Sequence, residues 1–349
     1  MRVGLVDVGG KITNLALQKL SSFHKAQGHE VVLNPLSPIG LDKTYVSMIF
    51  TKDREKAVSI YGSYPGVEFG GTGFSLEKKL PDEIENMHPD YSLYTAADIF
   101  SRISGRIAKK ENTWIKAEEI VNAGIGFLSR GCVNTAKTCP WCAVPAKEGV
   151  LRRVGSLNDI INPRSNKIVL LDNSICANPD IMDILLEIKQ RKLVVDLTQG
   201  LDVRRLTPEI AKALSEIKHW RSIHYSWDMP LAGASVLRGI EILSEFVRKS
   251  AQMCYVLCGF NTDFLEDQER VRVLKELGIK PYIMRYLDPN NPTKSEETYE
   301  TIRLRHFQRY INAPRAIYKT NTFDEYEGWI NAQKKMSGAI GATQLELAW

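Results

Sequence analysis

Between residues 124 and 285, short β-branched runs alternate with longer amphipathic stretches, and this alternation constrains the fold more than any other feature of the chain. Candidate strands lie at 124–128, 168–171, 193–197, 222–226, 253–257 and 282–285, with helical stretches at 179–190, 208–218, 235–249 and 262–277. Proline near the first turn, with Asn or Asp before it, is the chemistry of a helix start. Strands that alternate with helices form parallel units. Six of them suit a sheet that curls into a partial (β/α)6 barrel and are too few for the closed eightfold one. The first hundred residues repeat the theme. A strand at 3–6 is followed by a helix at 13–27, where Leu15, Leu17, Leu20 and Phe23 fall near helical spacing. Strands follow at 30–33 and 44–50, then a glycine-rich strand end at 67–74 and a last strand at 90–94. The expected organisation is α/β: an N-terminal domain over 1–100, a polar and basic connection over 101–120, a barrel core over 121–320 and a helical extension over 321–349.

A net charge of +5 is mildly basic, compatible with an anionic substrate or nucleic acid without requiring one. No apolar run reaches the length of a membrane span. Asp7 interrupts what would be the apolar stretch of a signal peptide, so the first residues read as a strand and a cytoplasmic location is expected. The cysteines are six in 349 residues, and three of them crowd into the segment from Cys132 to Cys142. In a reducing compartment such crowding points to metal or catalysis and not to a disulfide framework.

Cys132, Cys139 and Cys142 occupy the loop after the first barrel strand, where barrel folds build their sites. Three thiolates can hold three irons of a cubane and leave the fourth open to a small molecule. A structural zinc site wants four ligands and commonly a second Cys-x2-Cys pair, which this chain lacks; His224 is a distant candidate. Chance clustering of buried cysteines is the remaining reading.

The run Phe127-Leu-Ser-Arg-Gly-Cys132, followed by Cys139-Pro-Trp-Cys142-Ala-Val-Pro and Lys147-Glu-Gly149, resembles the cluster loop of the radical S-adenosylmethionine superfamily. It is most similar to the branch with an N-terminal cobalamin-binding-like domain. Further stretches are similar to phage or prophage members of that superfamily: Leu171-Asp-Asn173, the run 196–204, Trp227-Asp228, the run 257–261 and Met284-Arg-Tyr286. The resemblance implies a Rossmann-like N-terminal domain, a partial barrel, a [4Fe–4S] cluster on Cys132, Cys139 and Cys142, and S-adenosylmethionine as cofactor. It implies reductive cleavage to a 5′-deoxyadenosyl radical that takes a hydrogen atom from a substrate, with a flavodoxin- or ferredoxin-type electron donor. Cobalamin-dependent methyl transfer is the alternative within enzymes, and a zinc-stabilised nucleic-acid-binding module the alternative outside them. The family spacing is Cys-x3-Cys-x2-Cys, whereas this chain has Cys-x6-Cys-x2-Cys. A loop absorbs three residues for well under ~1 kcal/mol of closure entropy.

By the same resemblance Trp141 packs near the adenine, and Asp172 and Asn173 lie near the cofactor's amine, or else form an Asx turn at a strand end. Gln199, Asp202 and Arg204 follow the third barrel strand, with Arg204 as the carboxylate partner or a solvated loop arginine. Gly259 ends the fifth strand and lets backbone approach the adenine, or is a turn glycine. Trp227, Asp228 and Arg285 could face substrate. Cys176, Cys254 and Cys258 are either a second cluster or buried core thiols. In the related cobalamin domains a histidine follows the first strand. Here Asp7-Val-Gly9 puts glycine in its place, although Ser47-Met-Ile49 and Gly70-Gly71 resemble the later motifs. The N-terminal domain therefore reads as a degenerate, cobalamin-free version, with corrinoid bound without a protein histidine as the other option. Two basic stretches read as solvated helix faces or as a surface for a nucleotide or nucleic acid. They are Arg102, Arg106, Lys109, Lys110 and Lys116, and Arg303, Arg305, Arg309, Arg315 and Lys319 interleaved with Phe307, Tyr310 and Tyr318.

Overall fold

A computed structural model of the protein describes residues 1–104, 110–288, 298–313 and 320–346, of which 110 and 337–346 are described by their backbone alone. Arg106, Lys109, Arg315, Tyr318 and Lys319 lie outside the described residues. The chain forms two compact units: Met1–Gln199 with Glu216–Arg221, and Gly200–Ser215 with Ser222–Trp349. Both are mixed α/β, and their main sheets are parallel.

The first unit opens with a four-stranded parallel sheet of order β2-β1-β3-β4, made by β1 (Arg2–Val8), β2 (Glu30–Leu33), β3 (Lys43–Met48) and β4 (Val67–Gly70). Helix α1 (Leu15–Ala26) follows β1. Asn14 starts it by accepting from the Ala16 and Leu17 amides, satisfying two otherwise orphaned donors. Helix α2 (Arg54–Tyr61) follows β3, and the single turn α3 (Asp82–Glu85) comes before a longer helical pair. Leu17 and Leu20 of α1 bury against Val3 and Leu5 of β1 as the apolar stripe requires.

One expectation for this region is corrected. Residues 90–94 do not form a strand. Tyr91 and Leu93 are buried and alternate with Ser92, which imitates a strand's period of two. However, Asp90 accepts from the Ser92 amide at 2.9 Å and its hydroxyl at 2.5 Å, so an Asx turn forms instead. The segment after it is largely helical. Thr95 and Asp98 form a reciprocal capping box that starts α4 (Ala96–Ile103), and α5 (Lys110–Asn122) follows. Ile99, Ala117, Ile120 and Val121 from this pair join the core with Leu17 and Leu20.

Asp90 supplies a pH test of this corner. Burial pushes its carboxyl up, but the Lys25 ammonium and the Ser21 and Ser92 hydroxyls outweigh burial and hold it down to about 2. A depressed carboxyl contributes stability that is present above the unfolded value near ~4 and is lost as pH falls through the folded one. Melting curves of the native chain and of Asp90→Asn should therefore differ near neutral pH and converge between pH ~4 and ~2. A gap that stays constant across that window would contradict the assignment.

The rest of the first unit carries a second parallel sheet of order β10-β9-β8-β5, formed by β5 (Gly124–Gly126), β8 (Lys167–Leu170), β9 (Val194–Leu197) and β10 (Lys218–His219). A two-residue antiparallel ladder joins β6 (Ser129–Arg130) to β7 (Arg152–Arg153). Helix α6 (Val144–Glu148) lies between those two strands in the chain, and α7 (Ile181–Gln190) between β8 and β9. Gly124 and Gly126 are required by close approach: a Cβ on either would lie 2.2 Å or less from an Ile160 atom.

In the second unit β11 (Ile223–Ser226), β12 (Gln252–Cys258) and β13 (Lys280–Arg285) form a parallel sheet in chain order. With it go α8 (Pro208–Ser215), α9 (Gly233–Phe246), α10 (Phe264–Glu276), α11 (Tyr299–Asn312) and α12 (Glu327–Glu346). Phe264, Phe307, Phe323 and Trp329 pack together with ring centroids 5.0–5.7 Å apart. All six strands expected between 124 and 285 form. They divide three and three between two sheets, and β10 was not foreseen. Among the described residues no helix is long and apolar enough to cross a membrane.

Candidate functional site

The cysteine loop leaves the carboxyl end of β5 and is closed at its base by backbone pairing. Cys132 donates its amide to Gly149 O at 3.1 Å, and Ser129 and Arg130 pair with Arg153 and Arg152. Gly131 sits at φ +85°, and a Cβ there would lie 2.2 Å from Val150 O, so only glycine lets the two arms close this tightly. Beyond the base, Thr138 and Cys139 both donate their amides to Thr135 O, at 3.0 and 2.9 Å. Residues 135–138 are exposed. The extra length between the first two cysteines is thus taken up in an outward-facing turn. Cys142 donates to Cys139 O at 3.0 Å, making a second tight turn through Pro140 and Trp141. All three cysteines are half-buried and none is in a disulfide. The Asn134 amide reaches Cys132 Sγ at 3.4 Å, a donor of the kind that tunes cluster-bound sulfur.

Asp172, at the end of β8, anchors the start of this loop. It is 3% exposed. One carboxyl oxygen accepts from the Ser129 amide at 2.5 Å and its hydroxyl at 2.6 Å, and the other from the Leu128 amide at 3.1 Å. Burial pushes the carboxyl up and these donors push it back, with burial prevailing. Its bonds reach across to another strand end and do not form a local Asx turn. Asn173 beside it is half-buried and Gln199 is exposed.

Residues not foreseen as functional brace the loop from the other side. The Arg130 guanidinium lies 3.9 Å from the Phe127 ring centroid and pairs with Glu148 at 3.1 Å and Glu85 at 2.7 Å. Glu85 also holds Lys19 at 2.8 Å. Burial pushes Glu85 up, but Arg130 and Lys19 together hold it below the usual carboxylate range. The Arg-Gly-Cys and Lys-Glu-Gly runs are therefore two halves of one clasp, with Lys147 also meeting the Thr72 hydroxyl. Arg130, Lys147 and Glu148 line a cleft of about 520 Å³ that reaches Ser47, Gly70 and Gly71. Partners 45 residues apart in the case of Arg130 and Glu85 leave no periodic signal, whereas Arg130, Lys147 and Glu148 stand inside the cysteine motif itself.

Among the described residues no three His, Cys, Asp or Glu side chains are gathered so that they could hold a single metal ion. A structural zinc site needs four ligands on one centre, whereas in a cubane each thiolate binds its own iron. Cys254 and Cys258 are fully buried in β12, and burial pushes both thiols up, so they sit as core thiols and not as ligands. Cys176 is likewise buried.

The remaining candidates lie in the second unit. Arg204 forms a two-pronged pair with Asp202, at 2.7 and 2.9 Å. Gly259 has φ +78°, donates to Asp267 at 3.1 Å, and a Cβ there would lie 2.7 Å from Leu304 Cδ2. Trp227 is buried, donates its indole N–H to Met229 O at 3.1 Å, and has its carbonyl held by Arg270 at 2.7 Å. Asp228 accepts from the Ser226 hydroxyl at 2.9 Å, and burial pushes its carboxyl up.

The residue that follows the first strand of the N-terminal sheet also has a definite geometry. Gly9 has φ +81°, and a Cβ there would lie 2.6 Å from Asp53 Oδ2. The Asp7 side chain is fully buried, and its Oδ2 meets Arg102 at 2.5 Å and the Tyr94 hydroxyl at 2.8 Å. His24 contacts His29 and the Tyr45 hydroxyl, at 3.1 and 3.2 Å.

No family model matches the chain, and no curated protein matches it. Two solved structures of SuiB from Streptococcus suis are similar to it. One, bound to the precursor peptide SuiA, aligns over 60% of this chain and 52% of that one, at 12% identity and a TM-score of 0.36. The other aligns over 64% and 57%, at 13% identity and a TM-score of 0.38. The chain thus covers less than two thirds of the length of either.

Proposed function

We propose that the chain is a radical S-adenosylmethionine enzyme with a [4Fe–4S] cluster on Cys132, Cys139 and Cys142. The observation that carries the reading is the loop itself: three cysteines outside any disulfide, on a segment with two tight turns that is clasped at the carboxyl end of a parallel strand. The resemblance of 126–149 to the superfamily's cluster loop supports it. A cluster bound there supplies one electron to the sulfonium of S-adenosylmethionine, drawn from a flavodoxin- or ferredoxin-type donor. The protein's own part is to hold the loop: Asp172 fixes Leu128 and Ser129, Arg130 ties both arms to Glu85 and Glu148, and Gly131 permits closure. Trp141, Asn173, Gln199, Arg204 and Gly259 stand as the cofactor contacts that the resemblance implies. The same reading takes 1–100 as a degenerate Rossmann-like domain and 121–320 as a partial barrel, with 321–349 as an extension.

The test is 5′-deoxyadenosine. Anaerobically reconstituted protein given dithionite and S-adenosylmethionine should form it even without substrate. Yields no higher than those of Cys142→Ala would defeat the reading.

The N-terminal domain is expected to work without a corrinoid. A histidine that ligates cobalt is normally oriented by a neighbouring carboxylate. Residue 9 is a glycine, so no imidazole stands there, and Asp53 Oδ2 crowds the space a side chain would need. Equilibrium dialysis with hydroxocobalamin should give no binding tighter than the low-micromolar range. Tighter binding would promote methyl transfer instead.

A further inference from the structure

Helix α11 is stitched to strand β13 by side-chain bonds to one residue. Asn312 accepts from the Ile283 amide at 2.8 Å and donates to its carbonyl at 2.9 Å, and Gln308 donates to the same carbonyl at 3.1 Å. Arg305 and Arg309 each stand three residues before one of these stitching residues, and therefore on the same helical face. Arg285 stands two residues beyond Ile283, on the same strand face and at the strand's carboxyl end. A helix that follows its strand runs back along it, so this placement brings Arg285, Arg305 and Arg309 together. His306 lies next to them.

Arg285 is the costly member of this grouping. Arg285 is half-buried, its Nε is inaccessible to solvent and has no hydrogen-bond partner, and no ion pair joins it to any described carboxylate. Among the described residues Arg309 also has no carboxylate partner, and Arg303, whose Nε is likewise buried and unpartnered, lies flat over the Phe264 ring at 3.8 Å. Burial, then Arg305 and Arg309, push the Arg285 guanidinium down, and burial, then Arg309 and Arg305, do the same to His306. Elsewhere the chain matches half-buried arginines with carboxylates, as at Arg102 and Arg130. Arg285, a partly desolvated cation with an unpartnered donor and two further arginines beside it, is matched by an oxyanion, and the guanidinium fork suits phosphate. Carboxyl ends of parallel strands are where such sheets receive ligands. The interleaved aromatics do not take part: Phe307 and Tyr310 are buried in the core, so they offer no platform for base stacking.

We propose that Arg285, Arg305 and Arg309 form a site for the phosphate group of a substrate. The site reads charge and oxygen geometry, with no base stacked on Phe307 or Tyr310.

The experiment is a melting series on the full-length chain in inorganic phosphate and in chloride at equal ionic strength. Phosphate should raise Tm of the native protein. Arg309→Gln, an exposed position, should weaken the apparent phosphate affinity by about tenfold, the equivalent of one charge-assisted hydrogen bond. Arg285→Gln should lose most of the response while melting no lower than the native chain in chloride, because it removes an unpaired buried charge. Three results would each overturn the site: equal melting in both salts, an undiminished response in both variants, or a marked loss of stability for Arg285→Gln in chloride. Two further ligands distinguish the source of the phosphate. A response saturated by AMP assigns a free phosphate ester, and one seen only with a single-stranded oligonucleotide assigns a nucleic-acid backbone. None of these titrations requires a cluster, so the site and the enzymatic reading can fail independently.

Discussion

Replacing Cys139 with Ala should take the reconstituted protein from about four irons per chain to almost none, because a cubane held by three thiolates does not survive on two. Cys139 is the suitable position. Its amide closes the exposed turn on Thr135 and its carbonyl accepts from Cys142, and both are backbone bonds that alanine keeps. The variant therefore loses a ligand without losing the loop. Iron and sulfide analysis with the visible spectrum reads the result: a brown, dithionite-bleachable native protein and a colourless variant. Stoichiometric zinc in the native protein, with no iron uptake, would sink the cluster assignment.

The second large effect is expected at Asp172. Its carboxylate accepts from two amides and a hydroxyl, all buried, at the point where the cysteine loop begins. Asp172→Ala strands those donors, and one buried unsatisfied group costs about 1–3 kcal/mol. Allowing for partial relaxation, a loss of about 2–4 kcal/mol is expected, with Tm falling by several degrees. Iron loading should fall as well, since the loop base is what Asp172 fixes. Asp172→Asn keeps the size and one carbonyl acceptor, so it should lie between the two. An alanine variant that melts and loads iron like the native chain would remove Asp172 from this role.

What the amino-acid order made legible depends on how local the physics is. The cysteines, their spacing and the glycines at the loop base are local, and they could be read directly. The clasp that braces them was invisible, because Arg130 meets Glu85 across 45 residues and neither carries a periodic signal. Strands with buried β-branched runs were found within a residue or two. The two-residue β10 was not, since its Lys218 and His219 have no apolar pattern. The pair α4 and α5 was missed for a related reason: only a narrow stripe of α5 is buried, and Lys116, Glu118 and Glu119 dominate its composition. At 90–94 a real alternation was overruled by the Asp90 side chain bonding its own backbone. Phe307 and Tyr310 looked like a stacking surface and are core, because spacing along a helix does not say which face is covered.

The interrupted membership of the first unit has a consequence for dissecting the protein. Its sheet is not complete at Gln199, because the chain departs for sixteen residues and returns with Glu216–Arg221 to lay β10 beside β9. A fragment that stops at residue 199 would leave β9 as a bare edge, with the backbone donors and acceptors that invite another chain to pair. It would also lack Trp220, whose amide is tied to Val195 O at 2.9 Å and whose ring packs on the core around Ile125 and Val169. The smallest N-terminal piece with a finished edge therefore runs through residue 221 and carries α8 along with it. During synthesis, too, the cysteine loop is made long before the sheet it springs from can close.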